Sequence, residues 1–108
     1  SMPKFQNSYS VQKIVYKQKC RCFCPIGKAD YTNEFTVIIE PAGAPNGMIP
    51  DYCEIDKFIR ESLEGESLVI EEATYKLKQK IIEDVHPRKV TVESAVNDAV
   101  HGNVVVTV

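Results

Sequence analysis

Long apolar runs are missing from this sequence; the longest, such as Val104-Val105-Val106, cover only a few residues. A membrane-spanning helix needs about 20 apolar residues in succession, so none is expected and a membrane is not a partner. No signal-peptide pattern is seen either. A basic stretch with interleaved aromatics is also lacking: the formal net charge is -2, with both signs scattered along the chain. Nucleic acid is therefore not the expected partner. The four cysteines, Cys20, Cys22, Cys24 and Cys53, contain no Cys-x-x-Cys pair. Without a secretory leader they read as reduced thiols of a cytoplasmic protein rather than a disulfide framework. No internal repeat stands out. What is present is the composition of an ordered domain. The 108 residues are 44% hydrophobic and 26% charged, enough for one modest core.

Ser1 ahead of Met2 reads as a scar of tag removal, and residues 1–10 as a polar, flexible end. Residues 11–108 read as a single domain. Residues 11–24 run without a helix breaker, and their second half alternates, with Cys20, Cys22 and Cys24 on one face of a strand. Pro25-Ile26-Gly27-Lys28 is turn chemistry. Residues 31–40 give a second strand with Phe35, Val37 and Ile39 on one face, so a hairpin is expected. Residues 41–50 hold three prolines and two glycines and read as a long loop. Asp51 offers an N-cap and Glu54 stands three residues later, as in a capping box. Ile55, Phe58, Ile59 and Leu63 follow at helical spacing, and Gly65 ends the helix. A second helix begins near Val69, with Ile70, Ala73, Leu77 and Ile81 as its buried stripe, and stops at His86-Pro87. Val90, Val92 and Ser94 alternate as a third strand, and residues 104–108 give a fourth. The order is β-β-α-α-β-β. The fold class is α+β: one antiparallel four-stranded sheet with both helices on one face. Such a sheet has two open edges, which are usually paired or protected, so a homo-oligomer is expected.

The Cys20-x-Cys22-x-Cys24 run invites a zinc reading, but alternate strand residues lie about 6.6–7 Å apart, while zinc holds thiolates at about 2.3 Å. No metal site is expected, and buried structural cysteine is the simpler role for the first two. Cys24 differs, because it ends its strand beside Pro25, Gly27 and Asp30, where a ligand can reach the sulfur. It is a candidate nucleophile, with Asp30 as a candidate acid or proton shuttle. Glu71 and Glu72 open the second helix, where acids also favour the helix dipole. His86 lies beside a helix end and His101 in a turn, and neither is given a role.

The strand and helix order, together with Cys24-Pro25-Ile26-Gly27-Lys28-Ala29-Asp30 at the hairpin, resembles the tunnelling fold (T-fold). That superfamily includes GTP cyclohydrolase I, dihydroneopterin aldolase, urate oxidase and the 7-cyano-7-deazaguanine (nitrile) reductase of queuosine biosynthesis. The nitrile reductase carries Cys-Pro-x-Thr-Gly-Gln-Pro-Asp, which Cys24, Pro25, Gly27 and Asp30 match with one residue deleted. Tunnelling-fold relatives join the sheets of several subunits into a barrel, so the resemblance implies an oligomeric barrel, and a nitrile reductase-like oxidoreductase or related enzyme acting on a purine-, 7-deazapurine- or pterin-like heterocycle. In it Cys24 is the nucleophile, Asp30 the proton donor, and Glu54 and Glu71 hold the ring, since a carboxylate can accept two N–H bonds from the ring's edge. The family's histidine, before the second glutamate, is Ile70 here. The NADPH signature, Glu-Ser-Lys-Ser followed by an apolar residue and Lys, reads Glu54-Ile55-Asp56-Lys57-Phe58-Ile59, so the cofactor stays open. The alternative is a non-catalytic heterocycle-binding protein or a structural oligomer of the same fold.

Overall fold

The computed structural model describes residues 4–43 and 46–108. The expected tag scar and the middle of the 41–50 loop lie outside the described residues. Six strands and two helices follow in the order β1 (Lys4–Gln6), β2 (Ile14–Cys24), β3 (Ala29–Glu40), β4 (Met48–Pro50), α1 (Tyr52–Ser62), α2 (Ile70–Val85), β5 (Lys89–Val96) and β6 (Val104–Thr107). The main sheet has the order β2-β3-β5-β6, and all its neighbours are antiparallel. The expected ββααββ core is therefore present.

Strand alternation decides which side of the sheet is covered. In β3, Tyr31, Asn33, Phe35, Val37 and Ile39 are buried while the residues between them are not. Val90, Val92, Ser94 and Val96 do the same in β5, and Cys20 and Cys22 in β2. The buried stripes of the helices meet this face: Ile55 and Ile59 from α1, and Ala73, Leu77 and Ile81 from α2. The opposite face carries Lys17, Lys19, Glu34 and Glu93 around an open hollow. The two helices thus form one layer on one side of the sheet.

The helix ends follow their local chemistry. Asp51 caps α1 by accepting the Cys53 N–H at 2.9 Å, through Cys53 rather than the Glu54 N–H of a full capping box. Past its end, Gly65 adopts φ 76° and donates to Arg21 O at 2.8 Å. Helix α2 has no side-chain cap at Val69, but Glu71 and Glu72 lie in its first turn, where acids complement the dipole. It stops at His86 in the left-handed conformation, just before Pro87.

Two features depart from the sequence reading. The N-terminal segment read as loose is paired: Lys4–Gln6 runs antiparallel to Met48–Pro50, inside the stretch read as irregular loop. Asn7 is buried and ties this corner together, accepting from Val11 N at 2.8 Å and donating to Val11 O and Ala42 O. Three-residue strands are too short to show period-two alternation, and their partners lie far apart in the chain. The second departure is that β3 begins at Ala29 rather than at residue 31.

One polar network crosses the core. Asn33 is fully buried, accepts from Ser94 Oγ at 2.9 Å and donates to Cys22 Sγ at 3.3 Å. Ser94→Ala removes the donor and leaves the Asn33 carbonyl buried without it. The expected loss is about 1–3 kcal/mol, read as a lower urea midpoint at unchanged slope. An unchanged midpoint would mean that the network carries no stability.

Candidate functional site

The hairpin turn, the start of α2 and the β5–β6 loop come together at one end of the helix-covered face. They enclose a cavity of about 300 Å³, at the small end of the range for ligand sites, roughly 300–1,000 Å³. Its walls are mostly apolar, from Ile26, Val69, Ile70, Val96, Val100 and Val104. Its polar lining residues are Cys24, Asp30, Tyr31, Glu71 and His101. A larger hollow of about 430 Å³ lies on the opposite face of the sheet. It is shallow, charged and holds no thiol, so the smaller cavity is the candidate site.

Cys24 ends β2 and is half-buried, and the neighbouring turn packs closely around its sulfur. The Gly27 N–H donates to Cys24 Sγ at 3.3 Å. The other two thiols of the stripe are enclosed. Cys20 and Cys22 are 2% and 1% exposed, and their sulfurs lie 4.0 Å apart. The contact with Cys22, and then burial, push the Cys20 thiol up. Cys22 moves the other way, chiefly through the Cys20 contact, with Tyr31 and Asn33 adding hydrogen bonds. This pair is part of the core, and a ligand in the cavity does not meet it. Among the described residues no group of three or more His, Cys, Asp or Glu side chains is arranged to hold a metal ion.

Asp30 borders the cavity, but its carboxylate is directed elsewhere. Its cross-strand partner is Phe23, while Cys24 pairs with Ala29, so the Asp30 and Cys24 side chains leave the hairpin on opposite faces. Asp30 Oδ2 lies 3.9 Å from Arg21 Nε. Tyr31 faces the cavity side, and its hydroxyl donates to Leu68 O at 2.5 Å. Burial, first of all, pushes this phenol up, so it serves as a fixed wall.

Glu71 enters from the first turn of α2 and is exposed at the cavity. Its neighbour Glu72 is directed along the helix, where it pairs with Lys76 at 3.7 Å. Glu54 is not brought to this cavity. It stands half-exposed near the start of α1, and no α1 residue lines the cavity. The sequence reading gave His101 no role, yet the β5–β6 loop brings it to the wall. That loop is anchored by Asp98, which accepts the Thr32 N–H at 3.0 Å and lies 3.5 Å from Arg21. The Thr32 bond, first of all, holds the Asp98 carboxyl below the usual carboxylate range.

The NADPH signature does not fit the residues found. Asp56, where the first lysine would stand, accepts from Gln18 Nε2 at 2.9 Å and Arg60 Nε at 3.3 Å. Ile55 and Ile59, at the first serine and last lysine positions, are both fully buried. The segment is used for packing and internal ion pairs.

No protein-family model matches the chain, and no curated protein does. Solved structures do match. The crystal structure of an archaeosine synthase QueF-Like, in the apo form, superposes with a TM-score of 0.77 at 25% identity. The match covers 92% of this chain and 93% of that one. Among the described residues no helix is long and apolar enough to cross a membrane. The strand and helix order and this structural likeness agree: the chain has the tunnelling fold and resembles the QueF-like group.

Proposed function

We propose that this protein is an enzyme acting on a 7-deazaguanine-type base, with Cys24 adding to an electrophilic carbon on the ring's substituent. The observation that carries the reading is the single cavity that holds Cys24 and Glu71 between apolar walls. Apolar surfaces suit the faces of a flat heterocycle. An acidic side chain at its edge suits a guanine-like amide and amino group. A thiol at the end of the hairpin suits a nitrile, which it would convert to a covalent thioimidate. The failed NADPH signature argues against hydride reduction as the next step. Archaeosine synthesis, the activity named for the QueF-Like neighbour, is therefore the activity to assay first. The test is intact-mass analysis of the protein incubated with 7-cyano-7-deazaguanine. A gain equal to the whole ligand is expected, and no gain would count against the reading.

We also propose a cyclic homo-oligomer with ligand sites between subunits. Much of the outer edge of β2 is already closed: Phe23 N donates to Glu66 O at 3.0 Å and Leu68 N to Phe23 O at 3.0 Å. The edge of β6 is different, for β5 covers one side only and Val105 is 60% exposed. Ile26 and Val100, exposed at the cavity mouth, are 80% and 99% accessible. A second copy that closed this mouth would bury both. It would also give Glu54 a route to a ligand, which α1 lacks within one chain. Light scattering at micromolar concentration should give a multiple of the 12.2 kDa chain mass, and a monomer mass would reject the assembly.

A further inference from the structure

The proposed chemistry needs a proton at the nitrile nitrogen, and the cavity wall narrows the choice of donor. Asp30 is turned to Arg21 on the other face of the hairpin. Tyr31 gives its hydroxyl proton to Leu68 O. Ile70 stands where the resembling family has its histidine. Glu71 is assigned to the ring edge. His101 is the remaining proton-carrying side chain on the wall, and imidazole is the group that gives and takes protons near neutral pH. The loop that carries it is held on both sides of His101. Asp98 pins the loop to Thr32 N, and Gly102 turns it with φ 117° while donating to Ala99 O at 3.1 Å. That φ is one that residues with a side chain rarely adopt.

We propose that His101, carried to the cavity by the β5–β6 loop, protonates the nitrogen of a nitrile-bearing ligand as Cys24 adds to its carbon. The inference rests on the function proposed above. In the step, the Cys24 S–H bond breaks and an S–C bond forms, while C≡N becomes C=N–H. Imidazolium gives its proton to the nitrogen, the thiol proton leaves to water at the cavity mouth, and imidazole is then reprotonated from water. Nothing is oxidised or reduced. The charged and titratable groups that share the cavity wall with His101 are Cys24 from β2, Asp30 and Tyr31 from β3 and Glu71 from α2; Asp98 lies on its own loop, and Arg21 of β2 pairs with both Asp30 and Asp98.

The experiment follows adduct formation by mass in the protein with 7-cyano-7-deazaguanine, across about pH 5 to 9. The wild type should give a bell-shaped rate profile. His101→Gln should slow the adduct by roughly 100-fold or more, the usual contribution of a general acid, and lose the falling limb at high pH. Alkylation of Cys24 by iodoacetamide, which needs no proton at nitrogen, should be unchanged in the same variant. His86→Gln, at the far end of α2, should behave as wild type. A wild-type rate or an intact high-pH limb in His101→Gln overturns the assignment. So does an equal fall in iodoacetamide alkylation, which would put His101 to work on the thiol instead. If the wild type itself forms no adduct, the proposed function has failed and this inference goes with it.

Discussion

Cys24→Ala should form no covalent adduct with a nitrile-bearing deazaguanine, and its melting temperature should stay close to that of the wild type. The two halves of this expectation have separate causes. The adduct needs a sulfur that a ligand can reach, and among the three thiols of the β2 stripe only Cys24 borders the cavity. Cys20 and Cys22 are sealed beneath the helices. Brief iodoacetamide treatment should therefore modify Cys24 and the exposed Cys53 and spare the other two. Stability should hold because Cys24 is only half-buried at a strand end. Its sulfur accepts a 3.3 Å hydrogen bond from the turn's Gly27 N–H, and water can replace it. Point substitutions change stability by about 1 kcal/mol on average, and a half-buried thiol trimmed to alanine should not exceed that. Loss of the adduct together with a large drop in melting temperature would mean that the variant misfolds, and Cys24→Ser, which keeps the size of the side chain, separates the two cases. An adduct that persists in Cys24→Ala and maps to Cys53 would move the nucleophile to the start of α1. That result would remove the cavity from the mechanism.

The parts of this molecule that were legible in the sequence are those where one face of an element is buried. The alternation of Phe35, Val37 and Ile39 follows from β3 lying against α1 and α2, and the spacing of Ala73, Leu77 and Ile81 from α2 lying against the sheet. The thiol stripe was readable for the same reason. The parity of Asp30 was also present in the sequence. If Phe35 faces the core then so does Tyr31, and Asp30 must point away, as its contact with Arg21 now records. The short β1–β4 pair was not legible, because three residues carry no period and the pairing joins distant segments. Glu54 and His101 could not be ranked by local pattern at all. Whether each reaches the cavity depends on how α1 and the β5–β6 loop sit against the end of the sheet. A turn signal such as His101-Gly102-Asn103 says where the chain reverses and nothing about what the turn covers.

Glu71→Gln should abolish measurable binding of a guanine-like ligand while leaving the melting temperature of the free protein almost unchanged. As a first-turn acid, Glu71 supports the α2 dipole by about 0.3–1 kcal/mol, and its exposure puts it near the lower value. As a ring anchor it does more, since a carboxylate at the cavity can accept two N–H bonds from the ligand's edge. An amide offers one acceptor and sets a donor against the second N–H. Loss of a charged hydrogen bond costs about 1.5–3 kcal/mol, or roughly one to two powers of ten in affinity. The opposed donors add to that loss. Glu72→Gln is the matched control: it removes the same charge from the same helix turn, but from a side chain already paired with Lys76 and absent from the cavity wall. Isothermal titration with guanine and 7-deazaguanine compounds, beside thermal melts of all three proteins, separates the roles. A larger loss of binding in Glu72→Gln would shift the anchor by one position around the helix. Equal, wild-type binding in both variants would leave the ring held by the apolar walls alone, and the acidic anchor would be rejected.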